Sequence, residues 1–189
     1  DIERHTLSPA EKKQILEDFN ETAAGYPRDK TLMDLLAEPV RREPGAIALH
    51  NGDRQLSYRE LDRRSNALAC YLKIESCLKP GDLVGLLMNR TQDMIIGLWG
   101  ILKAGAAYVP MDPDYPPLRL LYILRDAAVK WVVTDAEPVV ETLQRSHCGF
   151  IHLKEYGEPG AAEGSKTTPT INTPGDAAYI IYTSGTTGN

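Results

Sequence analysis

The end of the chain carries a dense run of hydroxyl groups and bare backbone amides. An apolar, β-prone run at residues 178–182 predicts a buried strand. Glycines let a backbone approach a ligand closely, and successive N–H groups in a turn can form a concavity that binds anions. A phosphate group suits this chemistry, although a plain surface turn uses the same residue types. The candidate phosphate-binding residues are Thr183, Ser184, Gly185, Thr186, Thr187 and Gly188.

This run differs from the familiar nucleotide-binding loop. Gly185 and Gly188 are too close together for the pattern G-x-x-x-x-G-K-[ST], and no lysine follows before Asn189. Short motifs of this kind are frequent by chance, so the run alone leaves the surface turn open as an alternative.

The elements that position this run follow from alternating helical and β-type patterns. Helical patterns begin at Ser8, Thr31, Ser57 and Thr91 and cover residues 118–128 and 138–145, whereas β-type runs cover residues 46–50, 54–57, 83–88, 108–109, 130–134, 150–153 and 178–182. The alternation predicts an α/β fold, a layered and largely parallel sheet flanked by helices. Ligands bind such sheets at the carboxyl ends of the strands, where Thr183 would lie.

The first helix is predicted to be an appendage. Ser8 as N-cap and Glu11 three residues later form a capping-box pattern, with Pro9 at the first helical position. The helix then carries only a narrow apolar stripe, and the polar residues 20–30 follow as a linker. We therefore expect this helix to dock on a surface outside the chain.

Proline and the capping residues shape the next two helices. The second helix is expected to bury Leu32, Leu35, Leu36 and Val40, and to kink or end at Pro39. The third is predicted to start with a capping box and to bury its leucines, which are Leu61, Leu68 and Leu72. Residues 110–117 are rich in proline and predict a rigid, extended segment. Residues 155–175 predict a mobile loop.

Other catalytic constellations are not indicated. The four histidines are scattered, without the spacing of a metal site, and Ser184 has no base near it in sequence. Asp112 and Asp114 are better suited to turn and cap roles than to acid–base catalysis. Trp99 and Trp131 lie in apolar runs that predict core positions.

Composition narrows the function classes further. A net charge of −5 and a pI near 5.4 do not indicate the excess of positive charge that is typical of nucleic-acid-binding proteins. The apolar residues 94–109 are interrupted by Lys103 and fall short of a membrane span. The chain starts with no signal-peptide pattern, and its three cysteines form no C-x-x-C pair, which favours a reducing compartment. We expect a cytoplasmic protein without membrane or nucleic-acid partners.

Three stretches, taken in order, resemble the adenylation domain of nonribosomal peptide synthetases, within the adenylate-forming superfamily. The first is Leu-Ser-Tyr-Arg-Glu-Leu from Leu56, and the second is Leu-Lys-Ala-Gly-Ala-Ala-Tyr-Val-Pro-Met-Asp from Leu102. The third is Tyr-Thr-Ser-Gly-Thr-Thr-Gly from Tyr182. The continuation around Tyr115 is more typical of peptide synthetases than of acyl-CoA ligases. Residues 1–30 are similar to the linker that follows a condensation domain, and residues 31–189 to the N-terminal part of an adenylation domain, cut within the phosphate loop.

The resemblance implies an amino-acid-adenylating ligase of secondary metabolism, involved in antibiotic biosynthesis. ATP and an amino acid would give aminoacyl-AMP and pyrophosphate, and the acyl group would pass to phosphopantetheine on a downstream carrier domain. The run from Thr183 to Gly188 would hold the β- and γ-phosphates. Motif one would use Glu60 as a capping partner, and motif two would use Gly105 as a helix stop, with Pro110 and Pro113 as a rigid crossover.

The same resemblance also implies what this chain does not supply. The sequence contains no match to four features of the family: the loop lysine, the amino-acid pocket, the Mg²⁺ carboxylate and the C-terminal lid. We therefore expect the 189-residue chain alone to be inactive, with no catalytic or metal-binding residue of its own. The chain also departs from the family pattern. Cys77 stands at a usual glycine that ends a helix, so that cap is expected to be built differently. Leu118 replaces a usual glutamate.

Two alternatives remain open from the sequence. One is an acyl- or aryl-CoA ligase of the same superfamily, and the other is a non-catalytic docking fragment. Members of the family often bind a small MbtH-like protein, which here would contact the region between Ala104 and Asp112.

Overall fold

The structure is a computed structural model that describes residues 7–74, 76–143, 146–155 and 172–183. The helices are α1 (Pro9–Leu16), α2 (Leu32–Arg42), α3 (Tyr58–Ile74), α4 (Gln92–Lys103), α5 (Pro117–Asp126) and α6 (Glu137–Leu143). The strands are β1 (Ile47–Asn51), β2 (Arg54–Ser57), β3 (Leu83–Leu87), β4 (Ala107–Met111), β5 (Trp131–Thr134) and β6 (Gly149–His152). Short 3₁₀ turns cover Asp18–Asn20 and Leu153–Glu155. The predicted loop lies mostly at residues 156–171, outside the described residues.

A parallel sheet organises the described part of the chain. Its strand order is β4-β3-β5-β6, and every neighbouring pair is parallel. Leu87 at the end of β3 is in register with Met111 of β4 and Thr134 of β5, so the strands end at a common edge. Strands β1 and β2, which lie at two of the predicted β-type runs, form a separate antiparallel hairpin. The expectation of an α/β fold with a parallel sheet flanked by helices is confirmed.

Hydrophobic clusters cover both faces of the sheet. Val84 and Leu86 of β3 belong to a cluster that includes Leu61, Leu68 and Leu72 of α3, as predicted, together with residues of α4. Leu87 belongs to a second cluster, which includes residues of β4, β5 and α5. The alternation along β3 follows from the two-residue period of a strand. Trp99 is 6% exposed within the first cluster, and Trp131 packs against it, so the predicted core placement of both is confirmed.

The contact between α3 and α4 depends on a close approach at Gly100. A Cβ built on this glycine would lie 2.5 Å from Leu68 Cδ2 and 2.9 Å from Leu68 Cβ. Leu68 is fully buried, so it has little room to move away. The absence of a side chain at Gly100 therefore sets the distance between the two helices.

One buried ammonium group joins the same two helices. Lys103 Nζ donates to Asp62 Oδ1 at 2.7 Å, to Ser65 Oγ at 2.8 Å and to Asn66 Oδ1 at 2.7 Å. It also donates to the carbonyl oxygen of Asp62 at 3.1 Å. Burial lowers the pKa of Lys103 from its ordinary value, while the hydrogen bond with Asp62 acts in the opposite direction. The lysine of the second motif thus fixes α4 onto α3.

Helix α2 differs from its prediction at Pro39. The helix starts at a complete capping box between Thr31 and Asp34, and it continues past Pro39 to Arg42 instead of ending there. A proline removes one donor, and the next turn is still closed by the Glu43 N–H, which donates to Pro39 O at 2.9 Å. The expected early end is therefore wrong, and the alternative, a kink at Pro39, stays a prediction.

The buried face of α2 is also rotated from the predicted one. Met33 is buried, and Leu36 and Val40 pack against the first cluster. Leu32 and Leu35 are 52% and 38% exposed, so the expectation that they share the inward face is wrong. Residues spaced by three and four positions lie on one side of a helix, and Met33, Leu36 and Val40 have that spacing.

Helix α1 has the predicted capping box but no buried residue. The Ser8 N–H donates to Glu11 Oε2 at 2.7 Å, and the Glu11 N–H donates to Ser8 Oγ at 3.2 Å. Leu16 and Phe19 are 68% and 66% exposed. The apolar stripe of α1 therefore has no cover among the described residues, and its docking stays a prediction.

The start of α3 uses its glutamate differently from the prediction. The Glu60 N–H donates to Ser57 Oγ at 3.3 Å, which is half of a capping box. The Glu60 carboxylate instead binds Arg63, at 2.8 Å from Nε and 2.7 Å from Nη2. The expected role of Glu60 as reciprocal capping partner is wrong, because a guanidinium one turn away offers a bidentate, charge-assisted alternative.

The end of α3 is closed by the cysteine that replaces a glycine. Cys77 takes φ = 50°, and the Leu78 N–H donates to Leu72 O at 3.3 Å. In the usual glycine-type cap, the N–H after the left-handed residue donates to the carbonyl oxygen five positions back, whereas this bond spans six positions. The expectation of a different cap is therefore confirmed for the hydrogen bond. Cys77 nevertheless adopts the left-handed φ that glycine favours, at a steric cost to the chain.

A candidate phosphate-binding edge of the sheet

The segment that precedes the candidate phosphate loop lies beside β4. The Tyr108 N–H donates to Ala178 O at 3.1 Å, and the Ile180 N–H donates to Tyr108 O at 3.0 Å. These bonds form a parallel bridge between Tyr108 and Tyr179. Because the segment is parallel to β4, Thr183 follows it toward the common carboxyl edge of the sheet. This is the placement that the sequence predicts.

The predicted buried strand at residues 178–182 is wrong in two respects. The segment makes a single bridge rather than a ladder, and Tyr179 and Ile181 are 51% and 58% exposed. Among the described residues only β4 lies along it, so one side of the segment has no neighbour. An apolar run indicates that a strand can be buried, but burial depends on a partner that local sequence does not name.

Tyr182 anchors the segment to helix α5. Its hydroxyl donates to Asp126 Oδ2 at 2.5 Å, and its ring meets Tyr122 edge-on at a centroid distance of 6.3 Å. Burial, together with the hydrogen bond to Asp126, raises the pKa of Tyr182 to about 12. The residue directly before Thr183 is therefore held by a charge-assisted hydrogen bond.

A cleft of about 560 Å³ opens at the carboxyl ends of β3 and β4, next to this segment. Asn89, Arg90, Asp112 and Tyr182 are among its lining residues. The Asp114 N–H donates to Asp112 Oδ1 at 3.0 Å, which confirms the predicted turn role of Asp112.

The same region corrects one backbone expectation. Pro110 lies inside β4, and the Tyr115 N–H donates to Asp112 O at 3.0 Å. Residues 110–117 therefore combine a strand end and a turn, and the expected extended segment is wrong beyond Met111.

Of the predicted phosphate-binding residues, the structure describes Thr183, which is exposed. Ser184, Gly185, Thr186, Thr187 and Gly188 lie outside the described residues. Sequence reasoning missed the partnership of Tyr182 with Asp126. One sequence feature pointed to this partnership. Asp126 ends a helical pattern, and a carboxylate at a helix C-terminus is unfavourable with the helix dipole, which suggests that it interacts with another residue.

Metal-binding and membrane-spanning features are absent from residues 7–74, 76–143, 146–155 and 172–183. No group of three or more histidine, cysteine or acidic side chains there could hold a metal ion. Within the same ranges, no helix has the length and apolar character of a membrane span. All three cysteines are free thiols.

The region expected to bind an MbtH-like protein is largely buried. Ala104, Ala106 and Ala107 are at most 1% exposed. Tyr108 and Pro110 are the half-buried members of β4. The alanines therefore cannot themselves form a contact surface, and a bulky residue at Ala106 or Ala107 would disturb the core.

The sequence matches known peptide synthetases. A model of the AMP-binding enzyme family matches residues 36–189. Bacitracin synthase 1 from Bacillus licheniformis is 40% identical over 182 residues, which is 96% of this chain and 3% of that protein. Tyrocidine synthase 3 from Brevibacillus parabrevis is 42% identical over 182 residues, or 96% of this chain and 3% of that protein. The chain thus spans a small part of these relatives.

Solved structures give the same result. The crystal structure of the nonribosomal peptide synthetase FmoA3 in its AMPPNP-bound form matches with a TM-score of 0.76 and 29% identity, over 92% of this chain and 18% of that chain. The N-terminal subdomain of Klebsiella oxytoca NpsA, in complex with 3-hydroxyanthranilyl-AMSN, matches with a TM-score of 0.71 and 25% identity, over 84% of this chain and 38% of that chain.

These comparisons confirm the resemblance to peptide-synthetase adenylation domains. The matched residues include all three motifs, and the solved relatives share the parallel sheet whose edge carries Thr183. The chain belongs to the AMP-binding enzyme family.

Proposed function

We propose that the chain is the N-terminal part of an adenylation domain that joins ATP and an amino acid into aminoacyl-AMP and releases pyrophosphate. The observation that carries this proposal is the position of Thr183. It follows a segment parallel to β4, at the carboxyl edge of the sheet and beside an open cleft. Ligands of parallel α/β sheets bind at this edge.

The chemistry of the run that starts at Thr183 suits the departing pyrophosphate. Hydroxyl and backbone N–H donors stabilise negative charge without reorganising, provided that they are already in place when the charge develops. Thr183, Ser184, Thr186 and Thr187 supply hydroxyls, and Gly185 and Gly188 supply N–H groups without side chains. In this proposal they hold the β- and γ-phosphates while the amino-acid carboxylate attacks the α-phosphate.

The remaining parts of the reaction belong to the rest of the proposed protein. We place the amino-acid pocket, the Mg²⁺ ligands and the catalytic lysine outside this chain. Phosphopantetheine on a carrier domain would accept the acyl group as a thioester, and residues 1–30 would link the domain to a preceding condensation domain. The exposed stripe of α1 supports that role, since Leu16 and Phe19 need cover. A cytoplasmic location and a role in antibiotic biosynthesis complete the proposal.

A second candidate is the activation of an aryl acid. NpsA, whose N-terminal subdomain has this fold, is bound to 3-hydroxyanthranilyl-AMSN in its crystal structure. Amino-acid activation is favoured because the relatives with identities of 40% and 42% are peptide synthetases. A substrate panel that contains both amino acids and aryl acids separates the two candidates.

The phosphate assignment is tested by alanine substitution in the complete domain. Thr183→Ala combined with Thr186→Ala should lower kcat/KM for ATP in pyrophosphate exchange by at least about tenfold, because each removed donor weakens transition-state stabilisation. Thr22→Ala, an exposed threonine of the linker, is the matched control. Full exchange activity in the double variant would show that these hydroxyls do not bind the phosphates.

An MbtH-like partner is a further proposal. Because Ala104, Ala106 and Ala107 are buried, the proposed contact is restricted to the half-buried Tyr108, Pro110 and Asp112. Tyr108→Ala should therefore weaken co-purification of the small partner, while Lys130→Ala on an exposed site should not. Equal recovery of the partner with both variants would rule out this surface.

A further inference from the structure

The Tyr182 hydroxyl has a partner that no local feature of α5 explains. Asp126 is the last residue of α5 and is exposed. A negative charge at a helix C-terminus opposes the helix dipole, so this carboxylate costs the helix stability. It is nevertheless the acceptor of the Tyr182 hydroxyl, at 2.5 Å across 56 positions of sequence.

The hydrogen bond restrains the segment at a second point. The first point is the pair of backbone bonds around Tyr179, where Ile180 donates to Tyr108 O at 3.0 Å. The second is Tyr182, whose ring packs against the second hydrophobic cluster and against Tyr122. No described residue bonds the backbone of Ile181 or Tyr182. Without the side-chain bond, the backbone beyond Ile180 would lack a polar restraint among the described residues.

We propose that Tyr182 and Asp126 form a positioning pair that fixes the backbone at Thr183, and with it the hydroxyl group that the proposed function assigns to the ATP phosphates. The expected effect of the pair on ATP binding rests on the proposed function, whereas its expected effect on the order of the segment does not. Neither residue touches ATP in this scheme. The pair acts through Thr183, because donors that are preorganised stabilise charge better than donors that must first be ordered.

The test uses the complete domain with four variants. Tyr182→Phe and Asp126→Ala remove the bond. Asp126→Asn keeps an acceptor oxygen for the phenol, and Tyr122→Phe is the matched control because it removes a hydroxyl from the neighbouring ring. The first readout is hydrogen exchange of the Ile180 amide, which needs no catalytic activity. The second is KM for ATP compared with KM for the amino acid.

A positioning pair predicts a defined pattern. Tyr182→Phe and Asp126→Ala should each speed Ile180 exchange by about fivefold to tenfold, and should raise KM for ATP by a similar factor, as expected for one hydrogen bond. KM for the amino acid should change by less than about twofold, and Asp126→Asn and Tyr122→Phe should behave like the wild type. The double variant Tyr182→Phe with Asp126→Ala should be no worse than either single variant.

The possible negative results separate the positioning pair, its effect on ATP binding and the proposed function. Unchanged Ile180 exchange in Tyr182→Phe would overturn the positioning pair, and so would fully additive effects in the double variant. Faster exchange with an unchanged KM for ATP would reject the catalytic consequence. If the wild type turned over no acyl substrate with ATP, the proposed function would fail, while the exchange data would still decide whether the pair restrains the segment.

Discussion

Replacing Gly100 by alanine tests how α3 and α4 pack. Alanine favours a helix over glycine by about 1 kcal/mol, so propensity alone predicts a gain in stability. The new Cβ would however lie 2.5 Å from Leu68 Cδ2, 2.8 Å from Leu68 Cγ and 2.9 Å from Leu68 Cβ. The last contact is to the root of a buried side chain, so the helices must separate. Overpacking costs about 1–3 kcal/mol, and three such contacts place Gly100→Ala at the upper end. We expect a net loss of about 2 kcal/mol.

The assay is chemical denaturation of the complete domain, with Gly97→Ala as the matched control on the same helix. A Cβ at Gly97 meets Leu86 Cδ1 at 2.9 Å and Met88 Sδ at 3.1 Å, both of which lie at the far ends of flexible side chains. Gly97→Ala should therefore be within about 1 kcal/mol of the wild type. The losses caused by Leu68→Ala and Gly100→Ala should be less than additive in the double variant, because the two substitutions share one space. A Gly100→Ala variant as stable as the wild type would refute the packing argument.

Three further predictions concern caps and charges. Cys77→Gly should stabilise the domain by about 1 kcal/mol in thermal denaturation, because glycine tolerates φ = 50°, whereas Cys77→Ala should not stabilise it. Equal stability of the two variants would show that the backbone at this position is not strained. Lys103→Met should destabilise the domain by about 2 kcal/mol, since it leaves Asp62 half-buried without its ammonium partner, and a neutral result in urea denaturation would contradict this. The hydrogen bond from Arg63 lowers the pKa of Glu60. The ionised carboxylate therefore stabilises the fold above the unfolded pKa of about 4.3, and this stabilisation is lost as pH falls through the folded pKa. The difference in unfolding free energy between wild type and Glu60→Gln should shrink on acidification.

Local sequence signals accounted for the architecture and the helix starts. The alternation of helical and β-type patterns predicted the parallel sheet, because the two periods, 3.6 and 2, are readable over short windows. The capping boxes at Ser8 and Thr31 are both complete in the structure. These features depend on residues within one turn of each other, so nothing distant can override them easily.

The errors arose where a second partner decided the outcome. Glu60 had two possible partners within one turn, and the guanidinium of Arg63 competed with the backbone N–H. Cys77 takes a conformation that its own steric preference opposes. Pro39 stays inside a helix that continues to Arg42. In each case the structure departs from the preference of the single residue on which the prediction depended.

The candidate site was only partly predictable for the same reason. The motif that begins at Tyr182 predicts a phosphate-binding run, and the alternation of elements predicts its place at the carboxyl edge, toward which the described segment before Thr183 leads. The bond between Tyr182 and Asp126 joins residues that are 56 positions apart, so the acidic residue at the end of α5 indicates that a partner exists but does not identify it. The exposure of Tyr179 and Ile181 likewise depends on what lies beside the segment.

The central claim is that this chain contributes the phosphate-binding edge of an amino-acid-activating enzyme. The most direct measurement is amino-acid-dependent exchange of labelled pyrophosphate into ATP by the complete domain, over a panel of amino acids and aryl acids. We predict strong exchange with one amino acid or a small related group, at least about tenfold above the value without substrate, and its loss in the Thr183→Ala, Thr186→Ala variant. Exchange that no amino acid stimulates, in a folded and complete domain, would contradict the account.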